Sequence, residues 1–327
     1  MKRHILSFLF LFGVIISIIS CKTDVDLYAD YEEIVVVYGI LEPDVDTTYI
    51  KITKAFLNGN AYEMAKIPDS SNFSYKLDAR LIGKKNGNII HQYTLDTITI
   101  HNKQAGDSIF YFPNSLMYYT TEPLDSEAIY TLEIYKKDGE LITATTEMTS
   151  SVSIKKPIHR ILTIQNRDNN NLITVLSAKN AIRHECRLVF YYKELIPGNP
   201  DTLNKSYTWV LPAQTAASVD GGEELVFTYV QRNFYVLLEN HIKPENDVHG
   251  TKRFVNKIEI VATAGGYELT TMINLSQSTG MANSTQYTNI ENGYGIFSSR
   301  SSKMRSYEFN ADVLFSTAYR HLGFIQE

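Results

Sequence analysis

Short segments of alternating apolar and polar residues, separated by turn residues, recur along the chain from Ile34 onward. Thr48 to Lys54 alternates with period two, which is the pattern of a half-buried strand. Asn86-Gly87 lies between two strand-like segments and favours a type I′ hairpin, because that turn needs positive φ at both central residues. Tyrosine, threonine, isoleucine and valine are abundant, and these residues suit strands. The sequence therefore predicts a mainly β protein.

The strand-like segments form two series, which predict two β-sandwich domains of the immunoglobulin or fibronectin kind. A length of 327 residues suits two domains. The first domain spans residues 34–150 and closes with a hairpin of Tyr130 to Tyr135 and Leu141 to Thr146. The second spans residues 151–327. Its predicted strands are residues 161–164, 172–176, 187–192, 207–211, 225–229, 234–238 and 256–264.

One short helix is predicted near the end of the chain. Asn310 is a suitable N-cap, and Gly323 is a suitable terminator after Leu322. The spacing of Val313, Leu314, Ala318 and Leu322 gives this helix a buried stripe.

The first 20 residues predict a lipoprotein signal peptide. Lys2 and Arg3 precede an apolar run from Ile5 to Ile19, which is too short to span a membrane and has the length of a secretion signal. The run ends Ile18-Ile19-Ser20-Cys21, which resembles the lipobox of bacterial lipoproteins. The resemblance implies cleavage before Cys21 and lipidation of its thiol, which would anchor the protein to the outer membrane. An ordinary secretion signal with a chance cysteine is the alternative.

Residues 21–33 predict an acidic tether between the lipid and the first strand. Asp24, Asp26, Asp30, Glu32 and Glu33 follow a single lysine in this stretch. The order loosely resembles the lysine-then-acidic signal that exports lipoproteins of the Bacteroidetes to the cell surface. A plain acidic linker fits equally well, so surface-facing and periplasm-facing anchoring are both open.

Several segments together resemble the DUF4249 lipoproteins of Bacteroidetes. They are the lipobox, Ile34 to Leu41 with its VVVYGIL, Thr48 to Phe56 with TYIKITKAF, Leu77 to Leu81 before the Asn-Gly hairpin, and Asn289 to Phe297, which is similar to the family's NI-x-G-x-G-x-F stretch. The resemblance implies an outer-membrane or surface lipoprotein of unassigned biochemistry, often encoded near TonB-dependent receptors. It brings no catalytic residues with it.

Motifs of catalysis and of cofactor binding are missing from the sequence. His184-Glu185-Cys186 sets an imidazole near a thiol, but alternation along a strand puts Cys186 on the face of Leu188 and Phe190, as a buried structural cysteine. No GxSxG, GxGxxG or phosphate-binding GxxxxGK[ST] is present. We therefore predict a protein that is not an enzyme and has no cofactor.

No metal site is predicted either. His241 and His249 flank Glu245 and Asp247 in a loop whose composition is that of an ordinary turn, and Asp168 with three asparagines lacks the glycine and glutamate of an EF-hand. The net charge of −5 argues against a nucleic-acid partner, which would favour a basic stripe.

Two groups of aromatic residues are candidates for binding. Phe110 to Phe112 with Tyr118-Tyr119 suits either core packing or a platform for a sugar or peptide. In Asn289 to Phe297, Gly293 and Gly295 permit unusual backbone geometry. That segment is either a bulge that fixes Ile296 and Phe297 in the core or a contact loop. The candidate binding residues are Asn289, Asn292, Tyr294 and Phe297.

Four Asp-Ser/Thr sequences followed by an aliphatic residue or threonine resemble the O-glycosylation acceptor of Bacteroidetes envelope proteins. The candidate acceptors are Thr47, Thr97, Ser108 and Thr202.

Three functions are compatible with these features. The first is a non-catalytic envelope lipoprotein that binds a protein or nutrient partner, such as a TonB-dependent receptor or its cargo. The second is a structural or adhesive component, for example a pilus-associated sandwich that accepts a donor strand. The third is a hydrolase of glycans or peptides, which would need carboxylates that only folding brings together.

Overall fold

The computed structural model describes residues 33–55, 67, 71–101, 115–278 and 287–326. It is mostly β, with 51% strand and 13% helix, which confirms the predicted fold class. The strands are β1 (Val35–Leu41), β2 (Thr48–Lys54), β3 (Asp78–Lys85), β4 (Asn88–Thr94), β5 (Asp96–Ile100), β6 (Ser115–Thr120), β7 (Ile129–Tyr135), β8 (Leu141–Glu147), β9 (Ser153–Lys156), β10 (Ile161–Leu162), β11 (Asn170–Leu176), β12 (Arg183–Leu195), β13 (Thr202–Val210), β14 (Gln214–Thr215), β15 (Glu224–Val230), β16 (Lys252–Gly265), β17 (Ile290–Glu291) and β18 (Gly293–Phe309).

Helices make up a small part of the described chain. They are α1 (Gln231–Ile242), α2 (Tyr267–Ser278) and α3 (Asp312–Phe315), and two 3₁₀ turns cover Pro244–Asn246 and Arg320–Leu322. Among the described residues, no helix combines the length and the apolar character needed to cross a membrane.

The described strands form three sheets. The largest has ten strands, with the main order β13-β12-β16-β18-β1-β2-β6-β5, while β10 and β14 pair beside β18 and β12. The second has the order β17-β8-β7-β3-β4, and the third has the order β15-β11-β9. Each smaller sheet packs on one half of the large sheet, so two sandwiches share one continuous sheet.

The sandwich around β1 has a mainly aliphatic core. Val37 and Ile50 from the large sheet meet Leu81 and Leu132 from the five-stranded sheet, and all four are almost fully buried. Strand β1 buries alternate residues, because one of its faces covers this core and the other faces outward.

The sandwich around β12 has a core rich in aromatic rings. Phe190 lies near Phe234, Phe309 and Phe324, with ring centroids between 5.2 and 6.0 Å apart. Strands β11 and β15 and helix α1 supply much of the opposite side of this core.

Strand β18 belongs to both sandwiches. Its first residues, Gly293 to Ser299, pair in parallel with β1, and its later residues, Arg300 to Tyr307, pair in antiparallel with β16. Ile290 and Phe297 lie in the first core. The sequence prediction places them within the second domain, residues 151–327, because strand patterns do not show that a chain returns to an earlier sheet.

Both hairpins predicted from turn residues are confirmed. Asn86 and Gly87 have φ of 51° and 80°, and they join β3 to β4. Gly139 has φ of 91° in the turn between β7 and β8. Tyr130 near the start of β7 is fully buried, and its hydroxyl accepts a hydrogen bond from the backbone N–H of Asp125 at 2.9 Å.

Two secondary-structure predictions are wrong. Residues 234–238 lie in α1, where the buried residues Gln231, Phe234, Tyr235 and Leu238 have helical spacing. The helix predicted from Asn310 to Leu322 is broken. The Asn310 side chain does accept from the N–H of Asp312, but α3 ends at Phe315. Ser316 has extended backbone, and its N–H and its hydroxyl both donate to the Val313 carbonyl.

Candidate functional site

Asn289 and Phe297 bind each other within the fold. The Asn289 side-chain amide donates to the Phe297 carbonyl at 2.7 Å, and the Phe297 N–H donates to the Asn289 side-chain oxygen at 2.9 Å. The Phe297 side chain is fully buried in the first core. The prediction of Phe297 as a binding residue is therefore corrected, because its ring fills the sandwich. The half-buried Asn289 amide takes the place of a strand partner, and its role in binding stays a prediction.

Asn292 marks the point where the chain passes from one sheet to the other. Strand β17 pairs with β8 in the five-stranded sheet, and β18 pairs with β1 in the large sheet. Asn292, between them, has φ of 57°, and its amide donates to the Leu141 carbonyl at 2.9 Å. Asparagine tolerates this left-handed conformation better than most residues.

Gly295 allows β18 to approach β1. Its φ is +109°, and a Cβ at this position would lie 1.9 Å from the Val37 carbonyl oxygen. The pairing of Gly293 to Ser299 with β1 continues without a register shift. The bulge interpretation is therefore wrong in its geometry, although Phe297 does lie in the core as that interpretation expects.

Tyr294 is the exposed member of the segment. It lies opposite Val36 of β1 and is 44% exposed, on the outer face of the large sheet. Asn292 and Tyr294 line a surface cavity of about 390 Å³, together with Glu33, Ile34, Glu140, Thr288 and Gly293.

Other large side chains lie on the same outer face of the large sheet as Tyr294. Tyr38 and Tyr49 are 48% and 40% exposed. Tyr49 lies opposite Tyr119 of β6, with ring centroids 6.3 Å apart, and Ile98 of the edge strand β5 is 40% exposed. We call these residues, Tyr38, Tyr49, Ile98, Tyr119 and Tyr294, the tyrosine face.

Only part of the tyrosine face was predicted from the sequence, namely Tyr294 as a binding candidate and Tyr119 in the aromatic platform. A signal for the rest of the face exists. Tyr38 and Tyr49 occupy the outward positions of alternating strands, where polar residues are usual. Tyr118, predicted as part of an aromatic platform, points inward, and its hydroxyl accepts from the Leu77 N–H at 2.9 Å. Phe110 to Phe112 lie outside the described residues.

Cys186 and His184 are structural residues, as the sequence reading of Cys186 expects. Burial raises the pKa of the Cys186 thiol to about 12, so the thiol stays protonated at neutral pH. His184 is fully buried, and its Nε2 accepts from the Ala178 N–H at 3.0 Å. Burial lowers the pKa of His184, which keeps the ring neutral.

Residues of the segment from His241 to His249 make ion-pair and ring contacts within the fold. Asp247 contacts the buried Arg253 guanidinium at 2.6 Å, and Glu194 contacts it at 2.8 Å. Arg253 also donates to the Leu322 carbonyl, which fastens the end of the chain. His241 lies against Tyr207, with ring centroids 5.0 Å apart. In the part of the chain that the structure describes, no three His, Cys, Asp or Glu side chains gather as a metal site would require.

The candidate modification sites have different surroundings. Thr202 is exposed at the start of β13, whereas Thr47 and Thr97 are half-buried. Ser108 and the lipidation candidate Cys21 lie outside the described residues.

No family model matches the chain, and no curated protein matches it. Among solved structures, the C-terminal globular domain of an oligosaccharyltransferase from Pyrococcus abyssi aligns at 10% identity and TM-score 0.29, over 70% of this chain and 46% of that one. The chain thus spans less than half the length of that protein. The teleost fish polymeric Ig receptor ectodomain aligns at 9% identity and TM-score 0.19, over 60% and 85%. At these scores the alignments carry no argument, and the fold class rests on the strands themselves.

Proposed function

We propose that the protein is a lipid-anchored, non-catalytic protein of the bacterial outer membrane that binds a partner protein through the tyrosine face. We propose a TonB-dependent receptor, or the cargo of one, as the partner. The anchor is Cys21, and residues 21–33 are the tether. The exposure of four large side chains on one sheet face is the observation that carries the binding proposal.

The physical character of tyrosine supports this use of the face. A tyrosine offers a large contact area with few rotatable bonds and a hydroxyl for a hydrogen bond, and such residues are enriched at the centres of interfaces. Large apolar side chains that are exposed together mark interaction surfaces more often than singly exposed ones. Tyr38, Tyr49 and Tyr294 lie on three neighbouring strands, so a flat partner can contact all three.

Four side chains with reactive groups, two in β12 near the start of the strand and two beside Arg253, support a non-catalytic role. The thiol and imidazole of Cys186 and His184 are buried and have structural contacts. The Glu194 and Asp247 carboxylates both engage Arg253.

Cys21→Ala tests the anchor. We expect the variant to leave the membrane fraction and to lose palmitate labelling. Unchanged labelling would remove the lipoprotein part of the proposal. Protease treatment of intact cells expressing the unaltered protein then distinguishes surface-facing from periplasm-facing anchoring.

A photo-crosslinking residue at Tyr49 tests the face in the native host. We expect an adduct with a receptor or its cargo, and loss of that adduct when Tyr38→Ala is added. The matched control is a crosslinker at Tyr267, which is 60% exposed on α2 and outside the tyrosine face. Equal adducts from both positions would contradict the proposal.

Other outcomes point to the alternative functions. Protease-resistant polymers of the protein would favour a structural or adhesive component. Turnover of a glycan or peptide that one carboxylate substitution abolishes would favour a hydrolase.

A further inference from the structure

The outer edge of the large sheet is open at β13. This strand pairs with β12 over nine residue pairs, from Arg187 with Val210 to Leu195 with Thr202. Among the described residues, no strand pairs with its other side. An open edge presents unpaired N–H and C=O groups that can accept another strand.

Of the five other sheet edges in the described part of the chain, four carry features that discourage strand pairing, and one of these is the two-residue β17. The fifth, β15, has seven residues and is shorter than β13. β9 has four residues, including Lys155 and Lys156, and is followed by Pro157. The pairing of β4 with β3 is interrupted by a register shift, and β5 has only five residues. Lysine, proline, bulges and short length all protect an edge.

Strand β13 lacks most of these protective features. It has nine residues, TLNKSYTWV, with no proline and with Lys205 as its only charge. Tyr207 and Trp209 pack against Phe234 of α1, with centroids about 6.5 and 6.4 Å apart, so the strand is held in place. Val210 is 60% exposed on the opposite face.

The sequence of β13 is complementary to itself in antiparallel order. With Ser206 opposite Ser206 of a second copy, Thr202 meets Val210 and Leu203 meets Trp209. Asn204 then meets Thr208, and Lys205 meets Tyr207. No like charges lie opposite each other in this register, and each lysine meets an aromatic ring. The same kind of contact occurs within the molecule, where the Lys257 ammonium lies 5.0 Å from the Tyr191 ring centroid.

We propose that two copies of this chain pair through β13, antiparallel about Ser206, so that their two large sheets become one. The open backbone groups of β13 can pair with another strand, and the self-complementary register favours β13 of a second copy as that strand. The proposal does not depend on the tyrosine face or its partner, so either can fail alone.

Cysteine crosslinking tests the register. The full chain with Cys21→Ala retains only the buried Cys186, and Ser206→Cys is added to it. Residues directly opposite in an antiparallel pair have Cβ atoms about 5 Å apart, within reach of a disulfide. We expect rapid disulfide-linked dimers under mild oxidation.

Asn204→Cys and Thr208→Cys are the matched controls, because both residues are exposed on the same strand face. In the proposed register, each lies about 13 Å along the strand from its own copy. Neither should crosslink alone, whereas a mixture of the two variants should. Equal crosslinking of all three single variants would overturn the register and the proposal.

Sedimentation measures the association without a crosslink. Ser206→Lys places two ammonium groups opposite each other across the two-fold axis, at an exposed residue that the monomer tolerates. We expect dimer at tens of micromolar for the Cys21→Ala chain and at least tenfold weaker association after Ser206→Lys. A Cys21→Ala chain that stays monomeric at that concentration would overturn the proposal. So would Ser206→Cys adducts in envelope extract that contain only a different protein.

Discussion

The two halves of the large sheet differ in the side on which most of their aromatic side chains lie. Around β12 the rings are inside, where Phe190, Phe234, Phe309 and Phe324 contact one another. Around β1 the core is mainly aliphatic, and the tyrosines lie on the outer face. Buried rings stabilise a fold, whereas Tyr38, Tyr49 and Tyr294 keep between 40% and 48% of their surface free for another molecule. The comparison thus separates a half built for stability from a half suited to binding.

The outer face of the large sheet around β16 carries a buried, hydrogen-bonded carboxylate. Glu259 is almost fully buried on that face, and Lys257 and Ser306 donate to its carboxylate at 2.6 and 2.9 Å. Burial acts to raise the pKa of Glu259, but these hydrogen bonds and one from Tyr191 lower it below its usual value. The polar groups around Glu259 therefore satisfy one another, and the large side chains exposed nearby on this face, Val210 and Met304, are not aromatic.

The greatest loss of stability is expected at Phe234, in the aromatic core around β12. Phe234→Ala removes a fully buried ring from the aromatic core and should lower the free energy of unfolding by about 4 kcal/mol. Tyr38→Ala removes a ring that is 48% exposed and should cost less than about 0.5 kcal/mol. Urea denaturation of both variants measures the two values. Similar losses would mean that the tyrosine face stabilises the fold.

The second prediction concerns the strand that joins the halves. Gly295→Ala forces a side chain into positive φ and against the Val37 carbonyl, so β18 must move away from β1. We expect a loss of about 3 kcal/mol in the free energy of unfolding.

Gly139→Ala is the control for that loss, because Gly139 also has positive φ but has open space where its Cβ would lie. Strain alone should cost roughly 1 kcal/mol there. Equal losses in the two variants would show that close approach of β18 to β1 contributes nothing.

Local sequence patterns predict much of the first half. The sequences of β2, β7 and β8 alternate clearly between apolar and polar residues. Asn86-Gly87 is typical of a tight hairpin turn. In the second half, the sequence FYVLL of Phe234 to Leu238 has the composition of a strand, while its burial follows helical spacing. Composition and periodicity disagree in that segment, and the packing against β13 and β15 decides for the helix.

The candidate site depends on the pairing of β18 with β1, which local sequence patterns do not predict. The sequence singles out Tyr294, which is exposed, and the glycines beside it, but it also includes Asn289 and Phe297, which bind each other within the fold. Tyr38 joins Tyr294 only because β18 pairs in parallel with β1 from the far end of the chain. Turn signals identify hairpin partners, whereas such distant pairing has no local signal.

A pH titration tests the buried polar group of the aromatic half. Because burial lowers the pKa of His184, the folded protein keeps the ring neutral while the unfolded chain binds a proton below pH of about 6.5. Stability should therefore fall as the pH drops below that value, by at most about 1.4 kcal/mol per pH unit for one proton. His184→Gln should flatten this acid dependence. An unchanged slope in the variant would show that other groups cause it.

The last prediction concerns Tyr294, where we expect a change in stability as small as at Tyr38 together with a loss of binding. Its ring is 44% exposed and points away from the first core, so Tyr294→Ala should change the free energy of unfolding by less than about 0.5 kcal/mol. Truncating a rigid aromatic anchor at an interface typically weakens binding by about 2 kcal/mol or more. We therefore expect partner capture to fall roughly thirtyfold while the melting temperature stays nearly constant. Phe297→Ala, three residues along and fully buried, should do the reverse and destabilise the fold by about 3–5 kcal/mol. If Tyr294→Ala destabilises the protein as Phe297→Ala does, or leaves partner capture intact, Tyr294 is not a binding anchor.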